Sequence, residues 1–261
     1  MNKDLRVHCL EALAMNDLDK KINHVHFIYQ SFISDLFAID SKEDIQHTYD
    51  LPGAPSKPEI VAPRLVEKRS SATEQGKLIF IHALAHIEFN AINLALDIIW
   101  RFKNLPNKFY SDWLKVAYEE SIHFQMLNSY LRKFNLNYGS FNAHNSLWDM
   151  ADRTSHDLID RLALIPRTME ARGLDVTPSI IEKFKQQKDN EITTILKKIY
   201  EEEINHVSIG NDWYYWACKA KNIDPAETYK NLLKTYSIEL NYQKLNKEAR
   251  YQAGFLEEDL I

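Results

Sequence analysis

Hydrophobic positions between residues 71 and 221 recur every three or four residues, the spacing of one face of an α-helix. This spacing predicts four long helices. The first opens at Ser71-Ala72-Thr73-Glu74, which has the sequence of a capping box, and runs to about residue 103. The second follows Pro106 and runs to about Phe134. No alternating pattern of similar length predicts a β-strand.

The third helix is predicted to start near Ser146 and to stop at Gly173, because glycine commonly follows the last residue of a helix. Thr177-Pro178 then has the sequence of a helix start. The fourth helix follows and runs to about residue 221, with a break predicted near Asp189. Two shorter helices are predicted at 224–234 and 236–250.

The N-terminal region has a different pattern. The pattern of residues 4–15 predicts a short helix. The pattern of the aromatic-rich residues 22–50 predicts no clear secondary structure. Residues 51–65 contain four prolines, which predict an extended arm because proline interrupts helices and central strands. The fold prediction is all-α: a ferritin-like antiparallel four-helix bundle over residues 66–261, with additional C-terminal helices. The helix and arm of residues 1–65 pack on it, within a single domain.

Composition narrows the class of protein. The 6 glycines and 8 prolines in 261 residues are few, as in helical proteins. A net charge of −5 disfavours a dedicated nucleic-acid binder. Cys9 and Cys218 form no CxxC motif, and no uncharged run of about 20 apolar residues predicts a membrane span. We therefore expect a cytoplasmic protein without a membrane partner.

A Glu-x-x-His motif occurs twice, each time within an apolar row. One row of the second helix consists of Trp113, Val116, Ala117, Glu120, His123, Leu127 and Tyr130. The corresponding row of the fourth helix consists of Ile192, Ile195, Ile199, Glu203, His206, Ile209, Trp213 and Trp216. The neighbouring Glu119 and Glu201 fall on the faces of lysines, where water is expected.

Buried carboxylates are costly unless they are paired, protonated or bound to a metal. Helical bundles that hold two iron or manganese ions use two Glu-x-x-His helices and one inward glutamate from each of two others. Glu88 and Glu170 lie on the inward rows of the first and third helices. The interval from Glu88 to Glu120 is one residue shorter than that from Glu170 to Glu203. We predict a dinuclear site with these six ligands: Glu88, Glu120, His123, Glu170, Glu203 and His206.

Alternatives remain for several of these residues. The carboxylates and imidazoles could hydrogen-bond to one another without a metal. His82 and His86 are turned away from Glu88 and are interpreted as packing or loop-contact residues. Tyr200 precedes Glu203 by about one turn. It is either a tyrosine beside the metals, with a redox role, or a core aromatic with a bonded hydroxyl.

The order Glu88, Glu120-x-x-His123, Glu170, Glu203-x-x-His206 resembles the ferritin-like diiron superfamily. The stretches HALAHIEFNAINLALD (82–97), PRTMEARGLDVTP (166–178) and LPGAPSKPEIVAPR (51–64) more narrowly resemble the bacterial ferritin-like family known as domain of unknown function 455. The resemblance covers about residues 50–220. A shorter likeness, Glu-Ala-Arg at 170–172, is to the tRNA hydroxylase that acts on methylthio-isopentenyladenosine.

The resemblance implies two Fe ions, with Mn or a mixed Mn/Fe pair as alternatives. The implied activity is an oxidoreductase that uses O₂ to hydroxylate or oxidise an organic substrate, with electrons from an external donor. A ferroxidase or iron-handling protein, and a helical interaction module with vestigial ligands, are the competing hypotheses. A tRNA substrate and a homodimer stay open.

Overall fold

The computed structural model describes residues 4–70 and 73–260, and these ranges contain helices and no β-strand. The α-helices are α1 (Leu5–Leu13), α2 (Leu18–Ile33), α3 (Glu74–Arg101), α4 (Asn107–Arg132), α5 (Ser146–Arg153), α6 (Leu158–Leu164), α7 (Ala171–Gln186), α8 (Asn190–Lys221), α9 (Pro225–Thr235) and α10 (Lys247–Gln252). The all-α prediction is confirmed. The arrangement of residues 66–261 as a ferritin-like bundle, with residues 1–65 packed on it, stays a prediction.

The chain divides into two compact units, Met1–Ser146 and Leu147–Ile261. In the first unit, α3 and α4 pack together as a helical hairpin, α1 packs on α3 and α2 packs on α4. The predicted start of this helix is two residues early: the capping box would begin at Ser71, whereas the side chain of Thr73 caps α3 by accepting from the Gly76 N–H at 3.1 Å. Ser71 lies outside the described residues.

Helix α2 covers the first part of residues 22–50, for which the hydrophobic pattern makes no clear prediction. Asp17 starts it by accepting from the backbone N–H of Lys20 at 2.9 Å. Its buried face includes Ile22, Val25 and Ile28. The sequence pattern was obscured because aromatic side chains also occupy the exposed face, as at Phe27, which is 44% exposed.

Arg6 fixes α1 to the end of α3. Its buried guanidinium donates to the carbonyl oxygens of Ile99 and Trp100 at 3.4 and 2.7 Å. These carbonyls lie in the last turn of α3, where no further helical N–H is available to bond them. A cation is also favoured there by the negative end of the helix dipole.

Lys21 joins four segments of the first unit. Its fully buried ammonium donates to the carbonyl oxygens of Leu13 and Gly53 and to the side-chain oxygen of Asn93, at 3.1, 2.7 and 2.6 Å. Burial lowers the pKa of Lys21 to about 7. The three acceptors match the three N–H groups of the charged form. The proline arm approaches α1 so closely here that a Cβ at Gly53 would lie 2.2 Å from the Ala14 carbonyl oxygen.

The third predicted helix is interrupted in the second unit. Helix α5 ends at Arg153, and α6 begins after Asp157, whose carboxylate accepts from two backbone N–H groups. From α6 the chain continues as a π-helical segment, Ile165–Glu170, and then directly into α7. Pro166 lies in this wider segment, since its ring would collide with a carbonyl of a regular α-helix.

The predicted stop at Gly173 and restart at Thr177-Pro178 are wrong, because α7 continues through all three residues. Pro178 cannot donate to the Leu174 carbonyl, as a regular helix requires. That carbonyl accepts instead from the side-chain amide of Asn246 at 3.1 Å. Asn246, which is distant in sequence, thus donates the hydrogen bond that Pro178 cannot.

Helix α8 is confirmed with a break before it, since Asp189 caps its first turn. It ends at Asn222, which has a left-handed backbone with φ 53°. The predicted inward row of α8 is wrong at Trp216, which is 39% exposed. Steps of three and four residues drift around a helix of 3.6 residues per turn, so a long row leaves the buried face.

Of the two C-terminal helices predicted, the structure has the first and not the second. Helix α9 matches the predicted 224–234, whereas 236–250 is irregular apart from a short 3₁₀ turn and the start of α10. Arg250 holds α10 to α7 by donating to both carboxylate oxygens of Asp175, at 2.9 and 2.8 Å. The position of residues 236–250 is therefore fixed by this ion pair and not by a regular helix.

Helix α3 is long and apolar enough to cross a membrane by length and composition. However, 78% of its most apolar 18-residue window is buried inside the protein, as in the core helix of a globular unit. No other helix within residues 4–70 and 73–260 meets those two criteria.

We predict that Lys21→Met lowers the free energy of unfolding by about 2–4 kcal/mol, because it leaves buried oxygen acceptors without their donor. Urea unfolding followed by circular dichroism measures the change. Lys20→Met is the matched control on the same helix, since Lys20 is exposed, and should change stability by no more than about 0.5 kcal/mol. Equal effects of the two substitutions would contradict the junction assigned to Lys21.

Candidate metal centre

The first unit brings together three of the predicted ligands. Glu88 is on α3, and Glu120 and His123 are on adjacent turns of α4. His123 Nδ1 lies 3.4 Å from Glu88 Oε2 and 3.3 Å from Glu120 Oε2. All three side chains are buried. The predicted inward rows of the first two helices are therefore confirmed at these positions.

This group is electrostatically strained in the absence of a cation. Burial raises the pKa of Glu88 far above its ordinary value, and the neighbouring Glu120 carboxylate raises it further. His123 opposes the shift through its hydrogen bond and its charge. One imidazole thus stands between two desolvated carboxylates, an arrangement that binding of a positive ion would stabilise.

The second unit repeats the Glu-x-x-His geometry on α8. His206 Nδ1 lies 3.4 Å from Glu203 Oε1. His206 is 1% exposed, and the Glu203 side chain is 16% exposed. The same imidazole atom, Nδ1, faces the carboxylate in both motifs, because a spacing of three residues places the two side chains on one face.

Glu170, the remaining predicted ligand, is half-buried at the end of the π-helical segment. This segment packs against α8, which carries Glu203 and His206. The close approach depends on Gly210 of α8, since a Cβ there would lie 2.4 Å from Pro166 Cβ. The wider π turn also displaces Glu170 from its position in a regular helix, and such turns are frequent at functional sites.

The donor atoms in each unit suit a first-row transition ion. Two ligands held about 2.1 Å from one ion are themselves about 3.0–3.4 Å apart. The N···O separations of 3.3 and 3.4 Å in the two motifs meet this condition. Carboxylate oxygens with imidazole nitrogens favour iron or manganese over metals that prefer thiolates.

The acidic and histidine residues that were not selected as ligands also have defined contacts. Glu119 pairs with Lys115 at 3.4 Å, Glu202 pairs with Lys198, and Glu201 is exposed. His82 accepts from the Gly139 N–H at 2.9 Å, and His86 contacts the Tyr138 hydroxyl at 2.9 Å. Burial lowers the pKa of both histidines to about 4. Their interpretation as loop-contact residues is confirmed.

Tyr200 has a hydroxyl that accepts from the Asn246 side chain at 3.1 Å. Its ring packs against an apolar cluster of the second unit that includes Leu174 and Val207. These contacts agree with a core aromatic residue whose hydroxyl is bonded. A role beside the metals stays a prediction.

Comparison with known proteins assigns the family. The family model described as "Protein of unknown function (DUF455)" matches residues 14–260. The chain belongs to this family. An "Uncharacterized protein" of Haemophilus influenzae is 42% identical over 258 residues, covering 95% of this chain and 90% of the relative. No solved structure matches the chain.

The structure of this DUF455 member adds one buried residue that the sequence analysis did not select. Arg167 lies in the π-helical segment and forms an ion pair with Asp259. It also donates to the side-chain oxygen of Asn211 at 2.6 Å. Four aromatic rings surround its guanidinium at 4.6–4.9 Å: Tyr214, Tyr215, Tyr229 and Phe255. The C-terminal region thereby holds the segment that ends at Glu170.

We predict that Glu88→Gln stabilises the metal-free protein relative to the wild type as pH rises. The pKa of Glu88 is higher in the folded than in the unfolded protein. As pH rises from the unfolded pKa to the folded pKa, the unfolded state ionises first, and the wild-type protein therefore loses stability. From pH 5 to pH 8 the advantage of the variant should grow by on the order of 1–3 kcal/mol. Urea unfolding after chelation measures it. Glu119→Gln, at a carboxylate paired with Lys115, should show no such growth.

We predict that Gly210→Ala destabilises the protein by about 1–3 kcal/mol, because the new methyl group would overlap Pro166. Thermal or urea unfolding measures the loss. Gly173→Ala is the matched control, since a Cβ at that position has no neighbour within 4 Å and α7 is helical there. This control should stabilise by about 0.5–1 kcal/mol. Similar effects at both positions would contradict the contact between Gly210 and Pro166.

Proposed function

We propose that the protein is a dinuclear non-haem iron or manganese oxidoreductase of the ferritin-like type. In this proposal the helical hairpin of α3 and α4 and the pair formed by α7 and α8 make up the four helices of one bundle. The six ligands are Glu88, Glu120, His123, Glu170, Glu203 and His206. The observation that carries the proposal is the buried group in which His123 Nδ1 faces two carboxylates within 3.4 Å.

Charge balance supports a metal pair. Four carboxylates carry four negative charges, and two divalent ions neutralise them without protonation of any ligand. Glu88 and Glu120 gain most, because burial and mutual repulsion disfavour their ionised forms when no cation is bound. The two Nδ1 atoms, on His123 and His206, would serve as the nitrogen ligands, one to each ion.

A bound pair of such ions would supply the O₂ activation that this class of oxidation requires. The overall reaction inserts one oxygen atom of O₂ into a C–H bond of the substrate and converts the other to water. Two electrons and two protons come from an external donor. The protein residues bind the ions, compensate their charge and exclude water.

The buried apolar residues around the first motif suit this role. Val116, Ala117, Phe124 and Leu127 are buried on α4, and Ala91 is buried on α3 one turn from Glu88. An apolar lining that excludes water strengthens electrostatic interactions at the site and limits side reactions. The proposed substrate is an organic molecule. A cytoplasmic location is part of the proposal, supported by Cys9 and Cys218, which are both free and buried.

Metal analysis of the purified protein tests the proposal. We expect two Fe or Mn atoms per chain and two anomalous-scattering peaks at the corresponding absorption edge. Glu120→Ala and Glu203→Ala should each reduce the metal content by at least one atom per chain. The matched controls are Glu119→Ala and Glu202→Ala, adjacent carboxylates that pair with Lys115 and Lys198 and should leave it unchanged.

Full metal content in both Glu120→Ala and Glu203→Ala would refute the ligand assignment. If the metal pair is present, O₂ consumption by the reduced protein separates the enzyme from an iron-handling protein. In the absence of the organic substrate, we expect each pair of electrons supplied to reduce one O₂ to H₂O₂, without accumulation of ferric iron beyond the bound pair. Continued oxidation of added Fe²⁺ with accumulating ferric iron would favour a ferroxidase.

A further inference from the structure

A second cluster of metal-ligating side chains lies in the first unit, on α1 and α2. His8 and Glu11 are one turn apart on α1, and His24 is on α2. His8 Nδ1 lies 3.1 Å from Glu11 Oε2, and His24 Nε2 lies 4.0 Å from the same oxygen. One ligand atom from each residue lies within 4.8 Å of the other two. None of these residues belongs to the helices of the proposed dinuclear centre.

The spacing of the cluster is close to that of a coordinated ion. Ligands of a tetrahedral zinc ion at about 2.0–2.1 Å are about 3.3 Å apart. The contact between His8 and Glu11 already has this spacing. His24 Nε2, at 4.0 Å from the same carboxylate oxygen, would have to approach it by about 0.7 Å to reach this spacing.

His24 supplies a second, independent observation in favour of a ligand at this cluster. Its Nε2 atom is buried and has no hydrogen-bond partner within the described part of the chain. Buried polar atoms of this kind are rare in native proteins and commonly mark a water or an ion. Burial and the neighbouring His8 lower the pKa of His24 while Glu11 raises it, and the net lowering favours the neutral imidazole that a metal requires.

Aromatic side chains hold both imidazoles in place. The His8 ring stacks on Phe37 with centroids 4.2 Å apart, and the His24 ring stacks on Phe27 at 5.8 Å. Such packing restricts ring rotation, which lowers the entropy lost when a metal binds. The Glu11 side chain is 42% exposed, so the cluster is accessible to ions from solvent.

We propose that His8, Glu11 and His24 form a separate binding site for a divalent transition ion of the zinc class, which joins α1 to α2. Two imidazoles and one carboxylate suit Zn²⁺ and disfavour Mg²⁺ and Ca²⁺, which require more oxygen ligands. Three protein ligands leave a fourth position for water on the exposed side of Glu11. This site does not depend on the proposed dinuclear centre.

Competition for Zn²⁺ with a chromophoric chelator tests the site in the full-length protein. We use Glu120→Ala/Glu203→Ala as the background, so that zinc at the proposed dinuclear centre does not mask the result. One equivalent of Zn²⁺ should bind. His24→Gln and Glu11→Gln should each weaken that binding at least about tenfold, since loss even of residues that only orient a ligand costs about 10- to 100-fold.

His26→Gln is the matched control for this experiment. His26 is a second half-buried histidine of α2, but its Nε2 already contacts Ser121 Oγ at 2.9 Å. The His26→Gln variant should therefore bind Zn²⁺ with the same affinity as the background protein. Equal affinity in His24→Gln, Glu11→Gln and the background protein would overturn the proposal.

Anomalous diffraction from zinc-soaked crystals of the wild-type protein supplies a readout that does not depend on how the variants fold. A peak at the zinc edge among His8, Glu11 and His24 supports the site. Zinc peaks elsewhere with none at this cluster would overturn it. Neither result depends on whether Glu120 and Glu203 bind metal, so failure here and failure of the proposed function are distinguishable.

Discussion

Charged side chains removed from water determine how the segments of each unit are joined, because each charge needs partners that replace its hydration. Lys21 gathers α1, α2, α3 and the proline arm around one ammonium group. Arg6 joins α1 to the last turn of α3. In the second unit, Arg167 and Arg250 hold the C-terminal region against the π-helical segment and α7. These cations have fixed oxygen partners, so each is part of the internal framework.

Glu88 and Glu120 differ from these framework charges. The influences on the Glu88 carboxyl are burial, the like charge of Glu120 and the imidazole of His123. By contrast, the equally buried Asp97 of the same helix pairs with Arg101 at 2.7 Å. A carboxylate that serves only the fold is thus paired with arginine. The carboxylates of the candidate centre share a histidine, which is the arrangement expected where an ion completes the charge balance.

Local periodicity predicted which acidic and imidazole side chains are buried better than it predicted the bounds of the helices that carry them. The inward positions of Glu88, Glu120, His123 and His206 follow from local periodicity, since side chains three or four residues apart share one face of any α-helix. Periodicity alone could not describe Glu170, because the π-helical segment changes its angular position. Nor could local sequence reveal the Gly210 contact that lets this segment approach α8.

The sequence by itself determined the all-α class, the ends of helices that are capped locally, and the faces that carry acidic and imidazole groups. Asp189 and Asn222 illustrate this, since each bonds within its own helix end. Only the tertiary structure decided where Gly173 and Pro178 lie, because Asn246 satisfies the Leu174 carbonyl from far along the chain. Bonds within one turn can be derived from neighbouring residues, whereas a partner distant in sequence is defined only once the chain has folded.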